Sequence, residues 1–162
     1  MDVKRASGTP ATSSEVLAIT LAHDERRLRR RVLNVDGTTK VLVDFPSPTT
    51  LEDGDQLVLE DGRTVRVSAA VEALHDIRAK SPTHLSELAW HIGNRHLAAA
   101  IEADRILILR DHVIGAMLEG LGAEVRESDE AFRPMRGAYG GHSHGGDGKS
   151  GASEPLGKEH SH

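Results

Sequence analysis

Over the first seventy residues the apolar positions come in short runs, VLAITLA, VLVDF, QLVLE and VRVSA, separated by turn signals. Asp36-Gly37, Asp53-Gly54 and Asp61-Gly62 are turn pairs, and Pro46 and Pro48 add breaks, so the stretch from about Glu15 to Ser68 predicts a β domain. The clearest hairpin joins Leu57–Glu60 to Arg63–Val67 through Asp61-Gly62. Within this domain Arg26–Leu33 alternates as a strand, with Arg27, Arg29 and Arg31 on one face and Leu28, Arg30 and Val32 on the other. That basic face is either solvated or a docking surface for an acidic partner.

After residue 70 the period changes. Val71–Ile77 is strand-like, and Ser81-Pro82 is an N-cap followed by proline at the first helical position, opening a helix to about Leu97. Arg105–Leu109 is a strongly apolar strand. Asp111 caps a second helix through Gly120, with Val113, Ile114, Met117, Leu118 and Leu121 at three-four spacing, and Ala123–Arg126 closes as a short strand. If Ala98–Ala103 supplies one more strand, the order is β-α-β-β-α-β with both helices on one sheet face; a simpler layout without it fits the periodicity equally well. The chain thus divides into a polar, disordered leader (1–14), a β-rich domain (15–70), an α+β domain (71–136) and a Gly- and His-containing flexible tail (137–162).

Composition narrows the chemistry. A net charge of −5 gives no bias towards nucleic acid or anionic membrane, and no apolar run approaches the roughly 20 residues that span a bilayer. With no apolar leader segment either, the expected location is the cytoplasm. There are no cysteines, which excludes disulfides, thiolate ligands and cysteine nucleophiles together. Nine of the ten histidines follow residue 70, so any metal chemistry must use imidazole, carboxylate and backbone, a donor set suited to nickel, copper and zinc.

Two of these histidines lie five residues apart in WHIGNRH. On one helix His91 and His96 point roughly 140° apart and cannot chelate one ion together. His91 falls between Glu87 and Arg95 on the polar side, the arrangement of a salt-bridged wet face. His96 continues the stripe of Leu85, Ala89, Ile92 and Gly93, and so is aimed at something packed. It is either a hydrogen-bonded core histidine or half of a symmetric site, because a two-fold axis brings the same residue from two chains together. His112 follows the cap residue Asp111, where the helix dipole disfavours imidazolium; it is either a neutral ring suited to metal or a first-turn polar residue. His142 and His144 form an H-x-H pair in a glycine-rich arm, repeated by His160 and His162. His23 and His75 have no evident partner.

The ordered series Leu88–His96 (LAWHIGNRH), Asp111-His112-Val113 with Met117-Leu118, and Gly137-Ala138-Tyr139-Gly140 before a His-bearing tail resembles the UreE urease accessory proteins. The likeness is strong over residues 71–144 and diffuse before them. It implies a nickel metallochaperone for urease maturation and not an enzyme. It implies a β-rich, peptide-binding-like first domain and a ferredoxin-like metal-binding domain that forms a homodimer. It further implies that His96 from both subunits holds Ni(II), that His142 and His144 complete the coordination, and that nickel passes to the urease accessory GTPase UreG within the urease accessory complex. Zn(II) or Cu(II) can use the same ligands. Four tail histidines argue against large nickel storage. Arg110, where some members carry histidine, weakens an auxiliary site at His112. Two other functions compete: a structural adaptor docking through its β-rich domain, and a metal-dependent hydrolase, against which stands the absence of H-E-x-x-H, G-x-S-x-G and phosphate-loop motifs.

Overall fold

The computed structural model describes residues 4–6 and 16–137. Six strands come first: β1 (Lys4–Ala6), β2 (Val16–Leu21), β3 (Arg27–Val35), β4 (Thr39–Thr50), β5 (Gln56–Val58) and β6 (Thr64–Ala69). They form a four-stranded sheet ordered β1-β5-β6-β2 and a two-stranded sheet of β3 and β4. Their alternating apolar residues share one core that includes Val35, Val41, Val43, Leu57, Val65 and Val67, all fully buried. The expected hairpin is present, with Leu57 opposite Val65 and Gly62 at φ 86°, a left-handed turn position that favours glycine.

Three local expectations change here. Lys4–Ala6 pairs antiparallel with β5, which departs from an unstructured leader for those three residues; ladder bonds use the backbone, so a polar sequence does not prevent pairing. The strict alternation along the arginine run is broken by an irregularity between Leu28 and Arg30, where Arg29 alone faces residues 45–48. Leu33 therefore turns inward while Val32 is exposed, and Pro46 and Pro48 sit inside β4 at positions with no ladder partner. Arg26, at the head of the run and on the Leu28 side of the alternation, is buried.

The remaining elements are β7 (Val71–Arg78), α1 (Pro82–Asn94), β8 (Ala99–Ile101), β9 (Arg105–Leu109), α2 (His112–Gly120) and β10 (Glu124–Ala131). The additional strand is thus present as β8, and the antiparallel sheet runs β10-β7-β9-β8, the strand order of the ferredoxin-like split βαβ fold. The chain is α+β. Ser81 and Asp111 cap the helices as their sequence positions predict: Ser81 Oγ accepts from His84 N, and Asp111 Oδ1 accepts from Val113 N and Ile114 N. Leu88 and Ile92 of α1 and Leu118 of α2 pack against Ile77, Ile106 and Ile108 of the sheet, each contributing about 1.5–3 kcal/mol by burial. The closing strand is twice as long as expected, because β10 pairs along the whole of β7 and its polar residues lie on a sheet edge that tolerates them.

The sheet face away from the helices carries an ion network. Arg105 donates to Glu130 (2.8 and 3.0 Å), Glu102 (2.7 Å) and Asp76 (3.2 Å). These bonds raise the arginine further above its ordinary range, and the bond from Arg105, with one from Ser128, holds the Glu130 carboxyl below its own. A carboxylate with a lowered folded-state pKa stabilises above its unfolded pKa and loses that contribution as pH falls through the folded value. The difference in urea stability between wild type and Glu130→Gln should therefore be larger at pH 7 than at pH 3.

Polar contacts join the two parts. His23 Nδ1 donates to Glu72 Oε1 (2.8 Å), Arg26 Nη2 to the Phe132 carbonyl (2.6 Å), Arg133 Nε to Asp53 (2.8 Å) and Arg136 Nη2 to the Thr50 carbonyl (3.0 Å). The Phe132 ring, fully buried, meets His23 edge-on at 5.1 Å.

Candidate metal centre

Hydrogen bonding sorts the histidines of the described residues into two groups. His23 is committed to Glu72. His75, buried on β7, donates from Nε2 to the Asp111 carbonyl at 3.0 Å and lies where Gly115 lets α2 approach; a Cβ there would stand 3.0 Å from that nitrogen. His84 uses both ring nitrogens: Nδ1 accepts from Lys80 N (3.0 Å) and Nε2 donates to the Leu121 carbonyl (2.8 Å), which ties the start of α1 to the end of α2. These three are structural. The sequence offered no signal for His23 or His75, because their partners are 36 or more residues away.

His91, His96 and His112 remain. His91 is half-buried with its ring edge-on to Trp90, and Arg95 donates to its backbone carbonyl (3.1 Å), so Arg95 caps the helix end in place of the expected side-chain salt bridge. His112 is exposed at the first position of α2. The Asp111 carboxyl beside it is held below the usual range by the Ile114 and Val113 N–H groups, with His112 and His75 adding to the effect. Arg110 turns towards β10, where it donates to the Ser128 carbonyl and Asp129 (both 3.1 Å).

His96 requires the main correction. The helix does not reach Leu97 but ends at Asn94, and the Arg95 and His96 amides close the last turn on Ile92 and Gly93. His96 then takes a left-handed backbone conformation, φ 55°, and is exposed. It does not continue the stripe of Leu85, Ala89 and Ile92. The reversal lets Leu97 return to the core beside Ala89, and helical continuation would have carried the chain away from it. A left-handed non-glycine residue costs about 1–2 kcal/mol, and such outliers cluster at functional sites. The His96 imidazole has no hydrogen-bond partner among the described residues.

No group of three or more His, Asp or Glu side chains converges on a metal position among the described residues. His142, His144, His160 and His162 lie outside those residues. No helix among the described residues is long and apolar enough to cross a membrane.

Comparison with known proteins covers nearly the whole chain. The model of the UreE urease accessory protein N-terminal domain matches residues 3–70, and that of its C-terminal domain matches residues 72–162. Urease accessory protein UreE of Mesorhizobium japonicum is 63% identical over 138 residues, spanning 85% of this chain and 70% of that protein. The UreE of Brucella anthropi is 62% identical over 125 residues (76% and 74%), and that of Rhizobium meliloti 54% over 136 residues (84% and 88%).

Proposed function

Because the chain belongs to the UreE family of urease accessory proteins, which are not enzymes, we propose that it is a cytoplasmic carrier of Ni(II) for urease maturation. The observation that carries this reading is His96: an exposed imidazole without a hydrogen-bond partner among the described residues, held by a left-handed backbone at the turn after α1. One such ligand binds an ion weakly, and the described residues of one chain bring no second and third to it. A homodimer with His96 from each chain at its two-fold axis supplies a pair, and His142 and His144 add labile donors. His112 is an auxiliary ligand in this scheme. Few ligands suit release better than a closed structural site does, and release to the accessory GTPase UreG is the expected next step. Zn(II) and Cu(II) compete for the same imidazoles.

Calorimetric titration of the dimer with nickel tests the scheme. The expected stoichiometry is about one ion per two chains, following from the symmetry. The double variant His142→Ala/His144→Ala should keep that stoichiometry while binding more weakly. An ion bound by each chain independently, with no change when the protein is diluted to monomer, would overturn the shared site.

A further inference from the structure

The arginine run of β3 has no part in the metal scheme, and the fold rearranges it. Leu28 is buried before the irregularity at Arg29, and Leu33 and Val35 are buried after it, so the alternation changes phase between them. Arg27 and Arg29 therefore face outward before the break, and Arg30 and Val32 face outward after it. Arg31 falls on the other side, 3.9 Å from Glu25. On β4 the positions opposite Arg30, Val32 and Asn34 are Asp44, Leu42 and Lys40. One face of the β3–β4 pair thus carries arginines at one end and Lys40 at the other, with exposed Val32 beside half-buried Leu42 between them.

These cations are weakly neutralised within the fold. Arg27, Arg29 and Lys40 make no hydrogen bond or ion pair among the described residues, and Asp44 stands 3.8 Å from Arg30, beyond hydrogen-bond reach. Arg27 shares the seam with Asp24, and Asp36 in the turn is taken up by the Thr38 and Thr39 amides (3.1 and 3.0 Å). Arg133 and Arg136, by contrast, hold Asp53 and Glu52 at 2.8 and 2.9 Å. We propose that this face docks an extended acidic segment of another polypeptide, its carboxylates meeting Arg29 and Arg30 at one end and Lys40 at the other, with an apolar side chain on Val32 and Leu42. Residues i, i+2 and i+4 of an extended chain share one side, and they span about 13 Å, as do Arg30 and Asn34 on β3. Nucleic acid fits less well, because Phe45, the aromatic residue of these two strands, is buried and leaves no ring for a base to stack on. The proposal rests on neither nickel nor His96.

Fluorescence anisotropy on the full-length, metal-free protein at low ionic strength tests this with the labelled peptide Glu-Glu-Ser-Leu-Ser-Glu-Glu. The peptide should bind, and its all-glutamine counterpart and an oligothymidylate of equal net charge should bind far more weakly. Arg29→Ser/Arg30→Ser should weaken binding about tenfold or more with an unchanged circular dichroism spectrum. Val32→Ser should weaken it about threefold, a loss that charge attraction alone does not produce, and this variant decides the matter if the arginine pair is needed for folding. Arg66→Ser, which removes an exposed arginine of β6, and His96→Ala should leave binding unchanged, so the nickel scheme and this one stand or fall separately. Tighter binding of oligothymidylate, or an equal loss from Arg66→Ser, would overturn the proposal. So would no binding of the acidic peptide, or wild-type affinity in the folded β3 variants; the arginines would then serve only to keep this two-stranded sheet from pairing with another copy.

Discussion

His96→Gly is expected to abolish nickel binding at the proposed shared site and, at the same time, to make the protein more stable. The loss should exceed the roughly 10–100-fold that changes outside a metal's immediate ligands produce. The gain follows from the backbone, since φ 55° costs histidine strain that glycine does not pay. Set against the greater freedom of glycine in the unfolded chain, the net gain is about 0.5–1 kcal/mol. His96→Ala should lose nickel equally but keep the strain, so the glycine variant should be the more stable of the two. Nickel titration beside urea denaturation of the metal-free proteins reads both effects. Wild-type affinity in either variant would remove His96 from the site. Equal stability of the glycine and alanine variants would show that the left-handed turn is not strained.

The largest loss of stability is expected from Phe132→Ala. The ring is fully buried among Leu74, Ala100 and Leu107 on the sheet face away from the helices, and it also meets His23 across the seam. Removing a buried phenylalanine side chain costs about 3–5 kcal/mol through lost transfer energy and the cavity left behind. The bond from Arg26 uses the Phe132 carbonyl, so the substitution leaves that backbone contact possible and isolates the packing term. Urea denaturation followed by circular dichroism should show the shift, and separation into two transitions would mean that the ring couples the two cores. A loss below about 1 kcal/mol would show that the seam holds by its polar contacts alone.

Much of the fold was legible because the signals that set it are local. Ser81 and Asp111 cap their helices through bonds to amides two or three residues on, and Asp61-Gly62 turns the chain within one hairpin. The series through Gly-Asn-Arg-His and Asp-His-Val led to the family that the comparisons then established. Periodicity failed where a distant contact decided the outcome. It extended α1 through His96, carried one alternation across the irregularity in β3, and left His75 and His84 without roles.

By itself, the sequence determined a β-rich first half followed by two capped helices among strands, the absence of thiolate chemistry, and the short set of imidazoles from which a metal site can be drawn. Only the tertiary structure decided which of those imidazoles are already spent on holding the fold, and that His96 stands exposed on a reversed turn and not on a buried stripe. The physical reason is that capping and turn formation are fixed within a few residues, whereas a helix end, a buried charge and a histidine's partner depend on what the rest of the chain packs beside them.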